Sequence, residues 1–163
     1  MANNKTEAIL KLQTLIEGID FWMLSTMDGG YLRSRPMSTQ EFEFDGDLWF
    51  FSSSNTHKVE EIAKDDRVNV AYSKPADNTY VSLSGRAVVI NDPAKIKELW
   101  NPILKAWFPE GLEDPNLCLL KVSVEQAEYW DAPSSKIVQL YGFVKALATG
   151  QEADYGENKK IAF

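Results

Sequence analysis

The amino-terminal third of the chain changes from a helical to a strand-like spacing of apolar residues. Apolar side chains recur at intervals of three and four between Thr6 and Ile19, which predicts an amphipathic helix that ends near Gly18. Three segments rich in aromatic and branched residues follow, at 20–27, 31–44 and 47–52. Because Asp-Gly turns separate these segments, the pattern predicts strands joined by hairpins.

The rest of the chain predicts three further strands and three helical segments. Thr56 precedes a short amphipathic stretch, so we expect it to cap a helix that buries Val59 and Ile62. Strands are predicted at 68–73, 79–91 and 117–130, helical segments also at 94–107 and 137–147, and a polar tail at 149–163. The strand at 79–91 is the clearest, because its apolar and polar residues alternate.

Taken together, these elements favour a small β-barrel decorated by helices, a mainly β fold with α elements (α+β). A doubly wound parallel sheet is the weaker interpretation, because its crossovers would need a helix after nearly every strand. No repeat or linker divides the chain, so we expect one domain over residues 1–163 with its core between 8 and 147.

Composition and charge narrow the classes of partner. The chain has 17 Lys and Arg against 24 Asp and Glu, a formal net charge of −7, which disfavours non-specific binding to nucleic acid. No apolar run approaches the ~20 residues that cross a bilayer, and no secretory signal is recognisable, so no membrane partner is expected. Cys118 is the only cysteine, which excludes an internal disulfide and suits a cytoplasmic protein.

The inventory of reactive residues excludes several common sites. His57 is the only histidine, so a histidine metal cluster is excluded and no metal is expected. The chain contains neither a Walker phosphate loop nor a GxGxxG turn, and no nucleophile-elbow sequence accompanies the histidine. Hydrolase chemistry is therefore disfavoured, and His57 alone is more often a surface residue than a base.

Two of the four arginines of the chain lie in one predicted strand, at Arg33 and Arg35. Residues two apart on a strand share a face, so the two guanidinium groups can point together at an anion. The alternative is a solvated edge strand whose charges and proline discourage aggregation. The local pattern slightly favours that alternative.

The aromatic strand at 48–51 leads into a hydroxyl-rich loop and then a helix start. The hydroxyls of Ser52 and Thr56, the N–H groups at the helix N-terminus and Lys58 could converge on one phosphate. The alternative is an ordinary serine-rich loop with Thr56 as the N-cap. Likewise, Phe51 and the helical Trp107 are more often core residues than cofactor walls.

Five short motifs follow one another in a characteristic order. They are RSRPM at 33–37, WFFSSSNTHK at 49–58, VSLSGRA at 81–87, KELW at 97–100 and AEYWD at 127–131. In this order they resemble the general stress protein branch of the FMN-binding split-barrel superfamily, relatives of pyridoxamine 5'-phosphate oxidase. The resemblance implies a Greek-key-like split barrel and a homodimer that holds FMN in clefts at the subunit interface.

The resemblance also implies a set of cofactor-binding residues, with no catalytic residue identified. They are Arg33, Arg35, Pro36, Met37, Phe51, Ser52, Thr56, His57, Lys58, Tyr80 and Trp130. The strand with Arg35 would lie along the flavin, the loop from Ser52 to Lys58 would bind the phosphate, and Tyr80 would reach the FMN of the partner subunit. The oxidases have an arginine where His57 stands, which implies a weaker or pH-dependent phosphate contact there.

The resemblance weakens after Trp130. The oxidases carry arginine and histidine residues there that bind the substrate phosphate, whereas this chain has only Lys136 as a cation between 131 and 136. Pyridoxamine phosphate oxidase activity is therefore not expected. Two hypotheses remain: a flavin-dependent oxidoreductase, with NAD(P)H or a small molecule as its partner, and a stress protein that stores or senses flavin without turnover.

Overall fold

The computed structural model of the chain describes residues 2–38, 43–132, 136–150 and 156–163. The helices within these ranges are α1 (Ala2–Ile16), α2 (His57–Lys64), α3 (Pro93–Leu99) and α4 (Lys136–Thr149). The strands are β1 (Phe21–Asp28), β2 (Tyr31–Ser38), β3 (Asp47–Ser53), β4 (Arg67–Lys74), β5 (Thr79–Ile90), β6 (Leu117–Asp131) and β7 (Glu157–Ala162).

All seven strands belong to one antiparallel sheet, in which six follow the order β2-β1-β4-β5-β6-β3 and the seventh, β7, pairs with β6. The long strand β6 pairs with β5 along one edge. Along its other edge, the first part of β6 pairs with β3 and the last part pairs with β7. The sheet curls into a half-barrel, which confirms the predicted mainly β barrel with peripheral helices.

Gly85 allows β5 and β6 to change register where the sheet bends. The pairing shifts between Ser84 and Gly85. A Cβ atom on Gly85 would lie 2.0 Å from the backbone oxygen of Ser123, which is far inside van der Waals contact. Only glycine therefore fits this close approach of the two strands.

The concave side of the sheet holds the main core. Leu24, Val70 and Leu83 alternate inward and are at most 1% exposed, as the period of two in each strand requires. Helix α1 packs Leu12 into this core, where it is fully buried. A second, smaller cluster forms around Phe51, where the segment between β5 and β6 covers the sheet.

Two predicted boundaries change in the structure. The helical segment predicted at 94–107 is divided into α3 and a short 3-10 helix, Pro102–Ala106. The division falls at Asn101, which is extended because a following proline disfavours the helical conformation. Strand β2 ends at Ser38 rather than at residue 44, and residues 39–42 lie outside the described part of the chain.

The prediction of a polar carboxy-terminal tail is wrong for the last residues, which include the strand β7. β7 pairs antiparallel with β6, with Ile161 opposite Ala127 and Glu157 opposite Asp131. Because β3 covers only the first half of β6, the second half offers a free edge that a polar segment can join. The remainder of the tail, 151–155, lies outside the described residues.

Candidate functional site

A cleft of about 370 Å³ lies where β2, the end of β3, the start of α2 and the turn after the 3-10 helix Pro102–Ala106 meet. Six residues predicted to bind the cofactor line it: Pro36, Met37, Phe51, Ser52, Thr56 and Lys58. The first three are apolar and the last three carry hydroxyl or ammonium groups. The cleft therefore combines a polar region with an apolar wall, which suits a ligand that has both kinds of surface.

The polar region contains two groups that lack partners. The hydroxyl of Ser52 is buried, and its oxygen has no hydrogen-bond partner in the described part of the chain. Lys58 is half-buried and makes neither a hydrogen bond nor an ion pair with any described residue. Buried polar groups are normally paired, so the Ser52 hydroxyl points to a ligand that would accept from it, and the Lys58 ammonium lines the same cleft as a second donor.

The local charges act on Lys58 in opposing directions. Burial lowers the pKa of Lys58, and the nearby positive charge of Arg35 lowers it further, while the negative charge of Glu61 acts in the opposite sense. Burial raises the pKa of the Cys118 thiol to about 11, so that group is neutral at physiological pH. An anionic ligand would stabilise the charged form of Lys58.

Thr56 occupies the N-cap position of α2 but does not make the predicted side-chain cap. Its Oγ1 donates instead to the carbonyl of Ser53 at 2.8 Å, and a further bond joins the side chains of Ser53 and Asn55 at 2.7 Å. These bonds close the loop on itself, which is the usual competition between local side-chain bonds and helix capping. The hydroxyl still lines the cleft, and the helix N-terminus has no side-chain cap.

Arg33 and Arg35 share a face of β2, as their spacing predicts, and both contact Glu61 of α2. Arg35 donates from Nη2 to Glu61 Oε2 at 2.6 Å and from Nη1 to Thr26 Oγ1 at 2.8 Å. Arg33 donates from Nη1 to Glu61 Oε1 at 3.0 Å, and Thr26 donates to Oε2 at 2.6 Å. Neither arginine lines the cleft, so the anion that both contact is a protein carboxylate.

Glu61 is buried and charged at the centre of this cluster. Burial alone would raise its pKa, but the hydrogen bond from Thr26 and the charges of Arg35 and Arg33 outweigh burial and lower the pKa. Sequence reasoning missed Glu61. The available signal was Thr26, a polar residue that follows Trp22 and Leu24 in the inward alternation of β1 and is itself fully buried.

Three other predicted residues lie away from the cleft. The His57 side chain is 81% exposed, with Nδ1 3.7 Å from a carboxylate oxygen of Glu60, so it does not contribute to the cleft. Tyr80 and Trp130 are direct neighbours across β5 and β6 on the outer face of the sheet, and each is 41% exposed. Within one chain the fold does not bring these two rings to the cleft.

The cleft also contains residues that the cofactor prediction omitted. Phe21, Trp107 and Phe108 line it, and Trp107 is 54% exposed. The expectation that Trp107 is a core residue is therefore wrong. The position of Phe51 is consistent with both a core residue and a cofactor wall. It lines the cleft, and its ring packs against that of Trp100 with 5.5 Å between the ring centroids.

A larger cavity of about 460 Å³ lies between the end of α1 and β3. Its described lining includes the carboxylates of Glu17, Asp20, Glu43 and Asp47 and contains no lysine or arginine. An acidic lining repels a phosphate group. The smaller cleft beside Lys58 is therefore the better candidate for an anionic ligand.

The described part of the chain offers neither a metal cluster nor a membrane-spanning helix. Its histidine, cysteine and carboxylate residues form no group of three that could hold a metal ion. Its helices are all too short or too polar to cross a membrane.

Comparisons with known proteins give consistent results. The family described as "Pyridoxamine 5'-phosphate oxidase like" matches residues 7–154. General stress protein 26 of Bacillus subtilis is 32% identical, over 72% of this chain and 84% of that protein. The crystal structure of a putative general stress protein 26 from Jannaschia sp. CCS1 is 26% identical, with a TM-score of 0.76 over 97% of this chain and 99% of that one.

A third relative carries a description of its ligand. The general stress FMN/FAD binding protein of Xanthomonas citri is 32% identical, with a TM-score of 0.65 over 77% of this chain and 89% of that one. The resemblance inferred from the five sequence motifs is thereby confirmed, and so is the fold that it implied. The chain belongs to the pyridoxamine 5'-phosphate oxidase-like family and shares its split-barrel fold with general stress proteins.

Proposed function

We propose that the protein binds FMN in the cleft beside Lys58. The observation that carries this proposal is that the Ser52 hydroxyl and the Lys58 ammonium, which have no partner among the described residues, line one cleft with an apolar wall. An unsatisfied buried polar group such as the Ser52 hydroxyl costs about 1–3 kcal/mol, and a phosphate that accepts from it removes that cost while pairing with the half-buried Lys58 ammonium. The apolar wall then suits the flavin ring.

The local charges support a single phosphate group at this position. Lys58 is the only cation that lines the described part of the cleft, and the uncapped start of α2 adds N–H donors. Arg35 lies near enough for its charge to affect the pKa of Lys58, so it also attracts a phosphate through space. We therefore assign Arg33 and Arg35 a supporting role, with Ser52, Thr56 and Lys58 as the contacting groups.

We further propose a homodimer in which FMN lies at the subunit interface. The outer face of the sheet carries small polar side chains at its centre, such as Ser82 and Ser84, and exposed rings at Tyr80 and Trp130. A sheet face with exposed aromatic residues suits association with a second copy. In such a dimer Tyr80 and Trp130 would approach the cofactor of the other subunit.

The proposed activity is that of a flavin-dependent oxidoreductase, with NAD(P)H as the candidate reductant. FMN would supply hydride or electron transfer, and the chain would bind and orient it. No aspartate, glutamate or histidine lines the described part of the cleft, and its one lysine, Lys58, is assigned to the phosphate, so no further side chain there is assigned to acid–base chemistry. The same observation favours the alternative, a cytoplasmic stress protein that stores or senses flavin without turnover.

Purification followed by visible absorption spectroscopy tests the cofactor. We expect flavin bands that shift when the protein is denatured, and chromatography of the released compound should identify FMN. Addition of NADPH under anaerobic conditions then separates the two functions. Bleaching of the bands within seconds supports the oxidoreductase, whereas bleaching only by dithionite supports storage or sensing.

A further inference from the structure

Trp107 is an exposed aromatic residue held in place at the edge of the cleft. It follows the short 3-10 helix Pro102–Ala106, and its N–H donates to the carbonyl of Leu104 at 3.0 Å. Leu104 is 5% exposed, so this turn is anchored in the second core cluster. The indole itself remains 54% exposed although it lines the cleft.

The neighbouring residue fixes the turn from the other side. The N–H of Phe108 also donates to the carbonyl of Leu104, at 2.9 Å, and the ring of Phe108 packs 6.3 Å from the ring of Phe51. Phe108 in turn accepts a hydrogen bond from the N–H of Gly111 at 2.9 Å. The backbone that carries Trp107 is thus held by several contacts, so little conformational entropy would be lost when a ligand covers the indole.

The position of Trp107 complements the polar region of the same cleft. Ser52 and Lys58 offer donors to a phosphate, whereas Trp107 offers a large aromatic surface to a planar group. Stacking of a planar ring on an aromatic side chain contributes about 1–3 kcal/mol for nucleic acid bases, independently of hydrogen-bond pattern. The two regions therefore recognise different parts of one ligand.

From these contacts we infer that Trp107 is a specificity-determining residue for the planar ring of the ligand. This inference rests on the proposed flavin site and assigns the recognition of the phosphate and of the ring to different residues. Lys58 selects for the phosphate, and Trp107 selects for the ring. The affinity of a phosphorylated compound without a flat ring should then not depend on Trp107, and the affinity of riboflavin should not depend on Lys58.

Flavin binding by wild-type and variant apoprotein tests the inference. Trp107→Ala should weaken the binding of FMN and of riboflavin by the same factor, about tenfold, because both ligands carry the ring. Trp107→Phe retains an aromatic surface and should stay within about threefold of wild type. Inorganic phosphate, measured as a competitor of FMN, should bind Trp107→Ala as it binds wild type.

Ile103→Ala is the matched control. Ile103 lies on the same 3-10 helix and is 70% exposed, but it does not line the cleft, so both flavins should bind this variant normally. The inference is overturned if Trp107→Ala binds both flavins with wild-type affinity, or if its affinity falls for FMN alone. It is also overturned if the flavin affinity of Ile103→Ala falls as much as that of Trp107→Ala. Wild-type protein that binds neither flavin would overturn the proposed flavin site itself.

Discussion

Arg35 on β2 and Glu61 on α2 form an ion pair of 2.6 Å that joins the β1–β2 hairpin to the helix carrying Lys58. The side chains are only 17% and 7% exposed, so the pair is largely shielded from water. Its main consequence is geometric. The helix start that borders the cleft is fixed to the strand that carries Pro36 and Met37, and both parts of the cleft wall move together.

Loss of the Glu61 charge should destabilise the fold. Glu61→Gln leaves Arg35 buried without its anion, and removal of one partner of a buried pair costs about 3–5 kcal/mol. Because Arg33 is 51% exposed and can be solvated, we expect a loss near the lower end, about 3 kcal/mol, measured by urea denaturation. Glu60→Gln on the same helix is the control, and it should change stability by less than about 0.5 kcal/mol.

The contribution of Glu61 should also depend on pH. Its pKa in the folded protein lies below the ordinary value of 4.5, so its stabilising effect is fully present above pH 4.5 and is lost as the pH falls through the folded value. The difference in unfolding free energy between wild type and Glu61→Gln should therefore be constant near neutral pH and shrink in acid. A difference that grows in acid would contradict the role assigned to Glu61.

Lys58→Ala should weaken FMN binding about tenfold to a hundredfold, because a charge-assisted hydrogen bond contributes about 1.5–3 kcal/mol. Riboflavin lacks the phosphate and should bind this variant almost as it binds wild type. Flavin fluorescence titrations measure both constants. Lys64→Ala, at the far end of α2, is the control, since Lys64 does not line the cleft. Equal weakening of FMN and riboflavin would show that Lys58 does not contact the phosphate.

Gly85→Ala should destabilise the protein by about 3 kcal/mol, at the upper end for overpacking. The new Cβ would lie 2.0 Å from a backbone oxygen, and backbone cannot move aside as a flexible side chain would. Thermal or urea unfolding measures the loss. Ser84→Ala removes an exposed hydroxyl from the neighbouring position and should cost less than about 1 kcal/mol.

Sedimentation velocity tests the proposed dimer. We expect the FMN-loaded protein to sediment as a dimer at micromolar concentration. Tyr80→Glu places a charge on the outer sheet face and should shift the population toward monomer, since burial of an unpaired charge is costly. Leu10→Glu, at a 57% exposed position on α1, should leave the dimer intact. A wild-type monomer that still binds FMN would refute the interface and the role of Tyr80.

The local elements could be predicted from the sequence, because their signals lie within a few residues. The alternation in β5, the Asp28-Gly29-Gly30 turn and the amphipathic α1 each follow from the spacing of side chains along one element. Gly29 and Gly30 adopt positive φ angles of 57° and 90°, as a tight turn requires. The loop from Ser52 to Lys58 was also predictable as a donor-rich segment, since its hydroxyls and cation are sequence neighbours.

Which charges and surfaces remain available to a ligand could not be predicted from local sequence and depends on how the elements pack. Arg33 and Arg35 share a face, but their anion, Glu61, comes from another element, and no local pattern predicts that pairing. Trp107 was predicted to be a core residue on one helix, yet the helix is interrupted before Pro102 and Trp107 lines the cleft. Pairing, burial and exposure depend on groups distant in sequence, so they are set by how the elements pack against one another.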